Sequence, residues 1–216
     1  MKKLINTFLV LVLFSSVVLA QGQQVQNKGE ENQLMVVQQE QAIADKIQEI
    51  QQKVQQTKQE MNQELQEMEE TEQTIYKNQN QVRLAVHSLL EIKDMVGGIG
   101  SQISEIAQEF NNSVQATIKS EERLEKQNRF VRFFVGSDQE VVQLMEQEVN
   151  RNRERIQELK QLKQECECDE PIRLMLQEQI QNIEQEQNRL GQLVQKEKQY
   201  QGLFTRFFNR IRNLAQ

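Results

Sequence analysis

Apolar residues recur at every seventh position along most of the chain. From Ile47 to Val131, twelve of the thirteen such positions are apolar and the exception is Thr117. Chance would place about five apolar residues there in a chain that is 37% hydrophobic. Because this spacing is typical of a coiled-coil seam, it predicts an all-α, elongated coiled coil. The apolar positions are Ile47, Val54, Met61, Met68, Ile75, Val82, Leu89, Val96, Ile103, Phe110, Leu124 and Val131.

A companion seam position accompanies this repeat from Ile43 onward. It is apolar at both ends of the repeat but polar between Thr57 and Asn78. Only one of the two seam positions is apolar in that middle stretch, so we expect it to pair weakly or to switch partners.

Three glycines, Gly97, Gly98 and Gly100, lie in the most apolar part of the seam. Each glycine costs a helix about 1 kcal/mol relative to alanine, which favours a turn between two antiparallel helices. The heptad phase nevertheless passes through them unshifted, and a loop has no need to preserve phase. We therefore favour one long helix over residues 33–134, with a kink or hinge at these glycines, and keep the turn as the alternative.

The sequence after residue 134 indicates two further helices of nearly equal length. Gly136 suits a helix end, and Ser137 or Asp138 can cap the helix that follows. A second break precedes Pro171, which fits a first helical turn. Such helices joined by a short turn predict an antiparallel hairpin over residues 137–199.

The first 20 residues have the pattern of a secretory signal. Lys2 and Lys3 precede an apolar stretch at residues 4–19, and Ala20 offers a small residue for cleavage. We expect removal after Ala20, with an uncleaved N-terminal anchor as the alternative. Residues 21–32 are polar, contain glycine and lack periodicity, which predicts a flexible tether. The expected location is therefore extracellular or on the cell envelope.

Composition and charge exclude several functional classes. The chain carries 26 basic and 32 acidic residues, a balance opposite to the one that nucleic-acid binding needs. It contains 39 glutamines and a single proline, and shows no credible strand. Nothing after the signal approaches the length of a membrane span. We find no catalytic, cofactor-binding or metal-binding constellation, and no sign of a small-molecule substrate, so we expect a protein that is not an enzyme.

Two copies of the pattern Phe-x-Arg-Phe-Phe flank the predicted hairpin. They occupy residues 130–134 and 204–208, so a return helix would bring them to the same end. Residues 202–216 have an apolar helical face, which fits a helix on anionic lipid, a cap on the first copy, or contact with a partner protein. The candidate contact residues are Phe130, Phe133, Phe134, Phe204, Phe207, Phe208, Arg206, Arg210 and Arg212.

Three other features have mainly structural interpretations. Cys166 and Cys168 are too close in sequence for an easy internal disulfide, so we expect a bridge between two chains or free thiols. A metal site or a strained local pair would also fit two cysteines at this spacing. His87 is the only histidine and is expected on a helix surface. Asn111 begins an Asn-Asn-Ser glycosylation sequon, a triplet that also arises often by chance.

Several segments resemble a family of uncharacterised exported coiled-coil proteins of methanogenic archaea. They are MVGGIGSQISEIA at residues 95–107, FNNSVQAT at residues 110–117, and residues 129–136. The likeness covers about residues 85–210. It implies a helical exported protein in an anaerobic setting, which lowers the expectation of a disulfide, but it brings no activity, cofactor or site residues.

These observations lead to two functional expectations. The first is an exported structural or interaction protein that pairs with itself or another helical protein through the heptad seam. The second is a lipid-interacting helical protein that inserts the C-terminal amphipathic segment into a membrane surface.

Overall fold

The computed structural model describes residues 27–127, 129–200 and 202, and these residues form α-helices without a β-strand. Side chains are described from residue 35 onward, except that of Arg129. The helices are α1 (Asn27–Gln66), α2 (Glu70–Ile92), α3 (Gly100–Lys126), α4 (Arg129–Val135), α5 (Gln139–Glu165) and α6 (Glu170–Gln199). Two short 3₁₀ turns, Lys93–Met95 and Gly97–Ile99, connect α2 to α3. The all-α fold class predicted from the sequence is confirmed.

The chain divides into two units, residues 1–43 and residues 44–216. The described part of the first unit is helical, and Met35, Val36 and Val37 are exposed there. We predicted a tether over residues 21–32, but residues 27–32 are helical. Lys28, Glu30 and Glu31 favour helix and outweigh the single Gly29 between them.

The second unit is a bundle built around four helices. α2 packs against α3 and α6, and α5 packs against the same two helices. Each neighbouring pair is antiparallel. Gln79 of α2 hydrogen-bonds to Glu121 of α3 at 3.0 Å and to Glu186 of α6 at 2.8 Å. Lys198 of α6 donates to Glu146 near the start of α5 at 2.6 Å.

The final part of α1 lies along α2 in the same unit. Lys53 pairs with Glu91 at 2.9 Å, and Glu64 pairs with Arg83 at 2.9 Å. The turn between these helices falls at residues 67–69, inside the stretch that we expected to pair weakly. With polar residues at its companion seam position, that stretch gains little from continuing as a helix.

The heptad seam is buried within a single chain. The buried faces of α2 and α3 consist of residues from both seam positions, and α5 and α6 add their own apolar stripes. The bundle therefore uses most of the seam to pack its helices together. The fully buried seam residues include Ala85, Leu89, Ile92, Ile103 and Phe110.

The favoured prediction of one continuous helix over residues 33–134 is wrong. A continuous helix would place Gln79 and Glu121 about 63 Å apart at 1.5 Å per residue, but their side chains are hydrogen-bonded. The chain turns back at residues 93–99. Val96 explains why the heptad phase survives this turn, because the loop carries its side chain into the core, where it is 1% exposed.

Two of the glycines are required by the geometry of this turn. Gly97 has a φ of 66°, in the left-handed region that favours glycine. A Cβ atom on Gly100 would lie 2.1 Å from the carbonyl oxygen of Lys93, a distance that no real side chain tolerates. A Cβ on Gly98 would meet nothing within 4 Å. The hinge predicted at these glycines is thus a tight turn.

The segment between α5 and α6 lies beside this turn. The Sγ atom of Cys166 is 3.8 Å from the carbonyl oxygen of Val96.

At the start of α5, Asp138 caps the helix by accepting a hydrogen bond from the backbone N–H of Val141 at 3.3 Å. Asp169, which precedes α6, makes no such side-chain bond.

The glycine geometry leads to a test with an internal control. Replacing Gly100 by alanine should lower the free energy of unfolding by about 2 kcal/mol, because backbone atoms must move to admit the new Cβ. Replacing Gly98 by alanine should change it by less than about 0.5 kcal/mol. Urea unfolding followed by far-UV circular dichroism measures both values. Equal effects of the two substitutions would contradict the turn described here.

Candidate interaction surface

The short helix α4 is held between α3 and α5 by the side chain of Gln127. Its Nε2 atom donates to the carbonyl oxygen of Gly136 at 2.9 Å, and its Oε1 atom accepts from the backbone N–H of Asp138 at 3.3 Å. Gly136 ends α4 with a φ of 104°, and its N–H bonds to the carbonyl of Arg132 at 3.0 Å. The side chain of Gln127 thereby joins the end of α3 to the segment between α4 and α5.

The polar residue in the middle of α4 points toward the bundle. Nη2 of Arg132 donates to both carboxylate oxygens of Glu197 on α6, each at 2.5 Å. Ser137 donates to the same carboxylate, and the Arg132 guanidinium lies 5.0 Å from the centre of the Tyr200 ring. Since Glu197 is buried, this ion pair determines the rotation of α4 about its axis.

The apolar residues of α4 consequently face outward. The exposed fractions are 69% for Phe130, 45% for Val131, 51% for Phe133 and 60% for Val135. The Phe134 ring is 4.6 Å from that of Phe130 and 5.1 Å from that of Phe133, so the aromatic rings form one cluster. We call the outward side of α4, comprising Phe130, Val131, Phe133 and Val135, the α4 surface. Its polarity is the reverse of that of an ordinary surface helix.

Three basic residues at this end of the bundle are paired with acids. Arg123 lies 2.9 Å from both Asp138 and Glu140. Lys126 lies 3.3 Å from Glu72 and 3.7 Å from Glu122. Together with Arg132, these three cations are neutralised within the chain.

The second Phe-x-Arg-Phe-Phe copy lies outside the described residues, with the predicted contact residues Phe204, Phe207, Phe208, Arg206, Arg210 and Arg212. The chain just before it is described. The backbone N–H of Ser137 bonds to the carbonyl of Tyr200 at 3.4 Å, and the buried Gly202 lies against the end of α4. Gly202, just before the second copy, therefore lies against the end of the helix that contains the first copy.

A polar layer crosses the bundle interior and links α2, α3 and α6. It consists of Gln79, Glu121, Glu186 and Arg189. Nη2 of Arg189 donates to Glu121 at 2.7 Å and to Glu186 at 2.6 Å, and Gln79 donates to both carboxylates. Both carboxylates are buried, so one guanidinium serves two acidic groups and the layer holds an excess negative charge.

The burial of this layer acts on the pKa of both Glu186 and Arg189. Burial raises the pKa of the Glu186 carboxyl above its usual value, although the hydrogen bond from Arg189 acts in the opposite direction. Burial alone would lower the pKa of Arg189, but its hydrogen bonds to Glu186 and Glu121 raise it overall. Arg189 therefore stays charged, and Glu186 is the group on which a proton would relieve the excess.

A cleft of about 320 Å³ lies between this layer and α4. Glu121 and Arg189 line one part, Arg132 and Glu197 line another, and the remaining wall includes Leu124. The two ion-pair systems therefore share one water-accessible space, which places the anchoring of α4 next to the polar layer.

The other predicted residues do not belong to this surface. Cys166 and Cys168 are joined by a disulfide, contrary to our expectation of a bridge between chains or free thiols. The two Cα atoms are 5.2 Å apart, within the range that a disulfide spans. Arg173 donates to the carbonyl oxygens of both cysteines, at 3.2 and 3.3 Å.

The sequon and the histidine lie on helix surfaces. Asn111 is exposed on α3, but Ser113 of the same triplet is buried and accepts a hydrogen bond from Asn152 at 2.7 Å. The folded chain therefore does not present the complete sequon to a modifying enzyme. His87 is exposed on α2.

Sequence reasoning missed the residues that hold the site together. The polar layer and Glu197 were not among the predicted positions. The buried acids and Gln79 each lie three or four residues from a buried apolar residue on their helices. The apolar stripe of α6 passes directly from Ile183 to Leu190, and this gap contains Glu186. A polar residue at a position where the apolar stripe of a helix would continue was the available signal of a buried polar group.

Comparison with known proteins assigns no family to this chain, because no family model, curated protein or solved structure matches it. Within the described ranges, no helix combines the length and apolarity needed to cross a membrane. The same residues contain no group of three or more His, Cys, Asp or Glu side chains placed to hold a metal ion. The α4 surface remains the candidate for function.

The buried ion pair of α4 can be tested by single and double substitution. Arg132→Leu should lower the free energy of unfolding by about 2 kcal/mol, because it leaves the buried Glu197 carboxylate without its cation. The double variant Arg132→Leu, Glu197→Leu should recover most of this loss. Urea unfolding measures both. A double variant no more stable than the single one would show that the pair does not anchor α4.

The polar layer predicts a pH dependence with a definite sign. Because the pKa of Glu186 is higher in the folded chain than in the unfolded one, its contribution to stability is greatest at acid pH. This contribution is lost as the pH rises through the folded-state pKa. Glu186→Gln should therefore gain stability relative to the wild type as the pH rises from acid to neutral. Thermal unfolding across this range measures the difference.

The matched control is Glu184→Gln on the same helix, whose carboxylate is more exposed and pairs with Lys160. Glu184→Gln should change the stability relative to the wild type by a similar amount at every pH in the range. A difference between wild type and Glu186→Gln that does not vary with pH would overturn the assignment of the titrating group.

Proposed function

We propose that this chain is an exported, non-enzymatic interaction protein that docks through the α4 surface. The observation that carries the proposal is the reversed polarity of α4, with Arg132 bonded to the buried Glu197 and four apolar residues facing outward. A soluble protein rarely exposes a contiguous apolar patch of this kind without a binding role. The geometry offers rigid aromatic groups for docking, and the ion pair holds them in place.

The use of the heptad seam supports placing the contact on α4. Leu89, Ile103 and Phe110 are buried inside one chain, so they would be accessible to a partner helix only if the bundle opened. Docking at α4 leaves the bundle intact. Pairing with a second copy or another protein is therefore proposed to occur through α4 and not through the seam.

A protein surface is the favoured partner, with a second copy of the chain as the first choice. The cations Arg123, Lys126 and Arg132 are already paired with carboxylates, which weakens attraction to an anionic membrane. The alternative is a lipid surface. The outward rings of Phe130 and Phe133 favour it, because aromatic side chains partition well into membrane interfaces.

Export and location at the envelope complete the proposal. They are supported by the basic start, the apolar stretch at residues 4–19 and the small residue Ala20. The resemblance of residues 85–210 to exported coiled-coil proteins of methanogenic archaea supports the same location.

The test replaces two outward rings and leaves the anchor of α4 untouched. We expect Phe130→Ser with Phe133→Ser to reduce association, because polar side chains remove apolar area from the contact. Light scattering over a concentration series measures self-association of the full chain. Flotation with zwitterionic and with anionic vesicles measures lipid binding.

The control variant is Leu144→Ser with Leu174→Ser, which removes two exposed leucines from α5 and α6. It should associate as the wild type does. A wild-type chain that remains monomeric at high concentration and floats with neither vesicle would refute docking through α4. Self-association without flotation supports a protein partner, whereas flotation of the monomer supports the lipid alternative.

A further inference from the structure

The disulfide between Cys166 and Cys168 joins two residues that are already neighbours in the chain. The sequence separation is 2, and both cysteines lie in the segment between α5 and α6. A disulfide stabilises a fold chiefly by closing a loop of the unfolded chain, and a short loop contributes least. The bond also joins no two helices, since α5 and α6 already pack against each other. The disulfide is therefore a weak structural cross-link.

The two sulfur atoms differ in their access to solvent. Cys166 is 4% exposed, and its Sγ atom lies beside the carbonyl oxygen of Val96 in the turn between α2 and α3. Cys168 is half-buried and lies between the exposed residues Glu167 and Asp169. Thiol–disulfide exchange begins when a thiolate attacks one of the two sulfur atoms, so it depends on access. An external thiolate can therefore reach Cys168 more readily than Cys166.

The backbone around the pair is held by Arg173 of α6. Its Nη2 atom donates to the carbonyl oxygens of Cys166 and Cys168, at 3.2 and 3.3 Å. These bonds do not involve the sulfur atoms, so they remain available when the S–S bond is broken. α6 begins at Glu170, two residues after Cys168, and the positive end of its dipole favours a thiolate on Cys168. The reduced pair is therefore kept in reach of re-oxidation, with Cys168 as its more reactive member.

We infer that Cys166 and Cys168 form a thiol–disulfide exchange site that accepts two electrons from a dithiol. A thiolate of the dithiol attacks Sγ of Cys168, the S–S bond breaks, and the electron pair passes to Sγ of Cys166, which takes up a proton. The second thiolate of the dithiol then attacks its own sulfur in the mixed disulfide and releases Cys168 as a thiolate. The dithiol leaves as a disulfide, and the chain holds the two reduced cysteines.

Charge around the pair determines which dithiols can approach. Residues 163–173 contain four acidic and two basic side chains, so the segment is negatively charged. An anionic thiol is repelled by this charge, whereas a neutral or cationic thiol is not. The substrate class is therefore a neutral or basic dithiol. The four acidic residues, all exposed, are Glu165, Glu167, Asp169 and Glu170.

Reduction of the full, oxidised chain by dithiothreitol, a neutral dithiol, tests the site directly. We expect both cysteines to become titratable thiols in the native protein, without urea. The reduced chain should stay folded, with a Tm within about 5 °C of that of the oxidised chain, because the loop closed by the bond is short. Thiols that appear only in urea, or a larger fall in Tm, would show that the disulfide is a structural bond and would refute the exchange site.

One-cysteine variants of the full chain separate the roles of the two sulfur atoms. Cys166→Ala leaves Cys168, Cys168→Ser leaves Cys166, and far-UV circular dichroism checks that both variants are folded. With the disulfide cystamine as probe, Cys168 should form the mixed disulfide at least about tenfold faster than Cys166, because it is more accessible and adjoins the start of α6. In urea the two rates should converge. Equal rates in the folded variants would overturn the assignment of Cys168.

The charge preference is measured on Cys166→Ala with cationic cystamine and anionic dithiodipropionate. Cystamine should react faster, and its advantage should fall at high salt and on adding Glu167→Gln with Asp169→Asn. Adding Glu154→Gln with Glu158→Gln instead, two exposed acids of α5, should leave the advantage unchanged. Equal rates for the two probes would refute the substrate class. α5 separates the pair from α4 by about 40 Å, so none of these results depends on docking through α4.

Discussion

The reversal of the chain between α2 and α3 depends on two adjacent residues with opposite requirements. Val96 must remain in the core, where its side chain is almost completely buried, and Gly97 must adopt a left-handed backbone conformation. Together they allow the chain to turn without opening the end of the bundle. Once α3 returns along α2, both helices bury their seams against each other, and α5 and α6 complete the enclosure. The fold of the second unit depends on this turn.

The same turn explains which features of the fold could be predicted. Helix formation follows from the abundance of Gln and Glu and from the apolar periodicity, and the break around Gly136 follows from glycine chemistry. The pairing of α2 with α3 does not follow, because heptad phase is compatible with either a long helix or a turn whose residues also pack. Val96 satisfies the repeat from within a loop. The periodicity therefore identified which residues are buried, but it did not identify the residues against which they pack.

Only the apolar residues of the candidate site could be predicted from the sequence. The clustering of phenylalanines at residues 130–134 is visible in the sequence, whereas the partner of Arg132 is not. Glu197 lies 65 residues away, and it meets Arg132 only because α6 returns to the end of the bundle that carries α4. The polar layer has the same origin, since Gln79 and Glu186 are 107 residues apart. Charged residues in an acidic, Gln-rich chain give no local indication of which few are buried.

The outward position of the phenylalanines follows from the geometry of a short helix. Successive residues of an α-helix are rotated by about 100° around its axis, so residues two before and two after Arg132 lie on the opposite side from it. These residues are Phe130 and Phe134. When Arg132 turns inward to reach Glu197, Phe130 is directed away from the bundle, and Phe134, whose ring contacts those of Phe130 and Phe133, is half-buried. Val131 and Phe133 lie at the sides. Two turns of helix cannot direct five apolar residues and this arginine to one side. The ion pair therefore decides which apolar residues face outward, and the aromatic surface is a direct consequence of a buried charge.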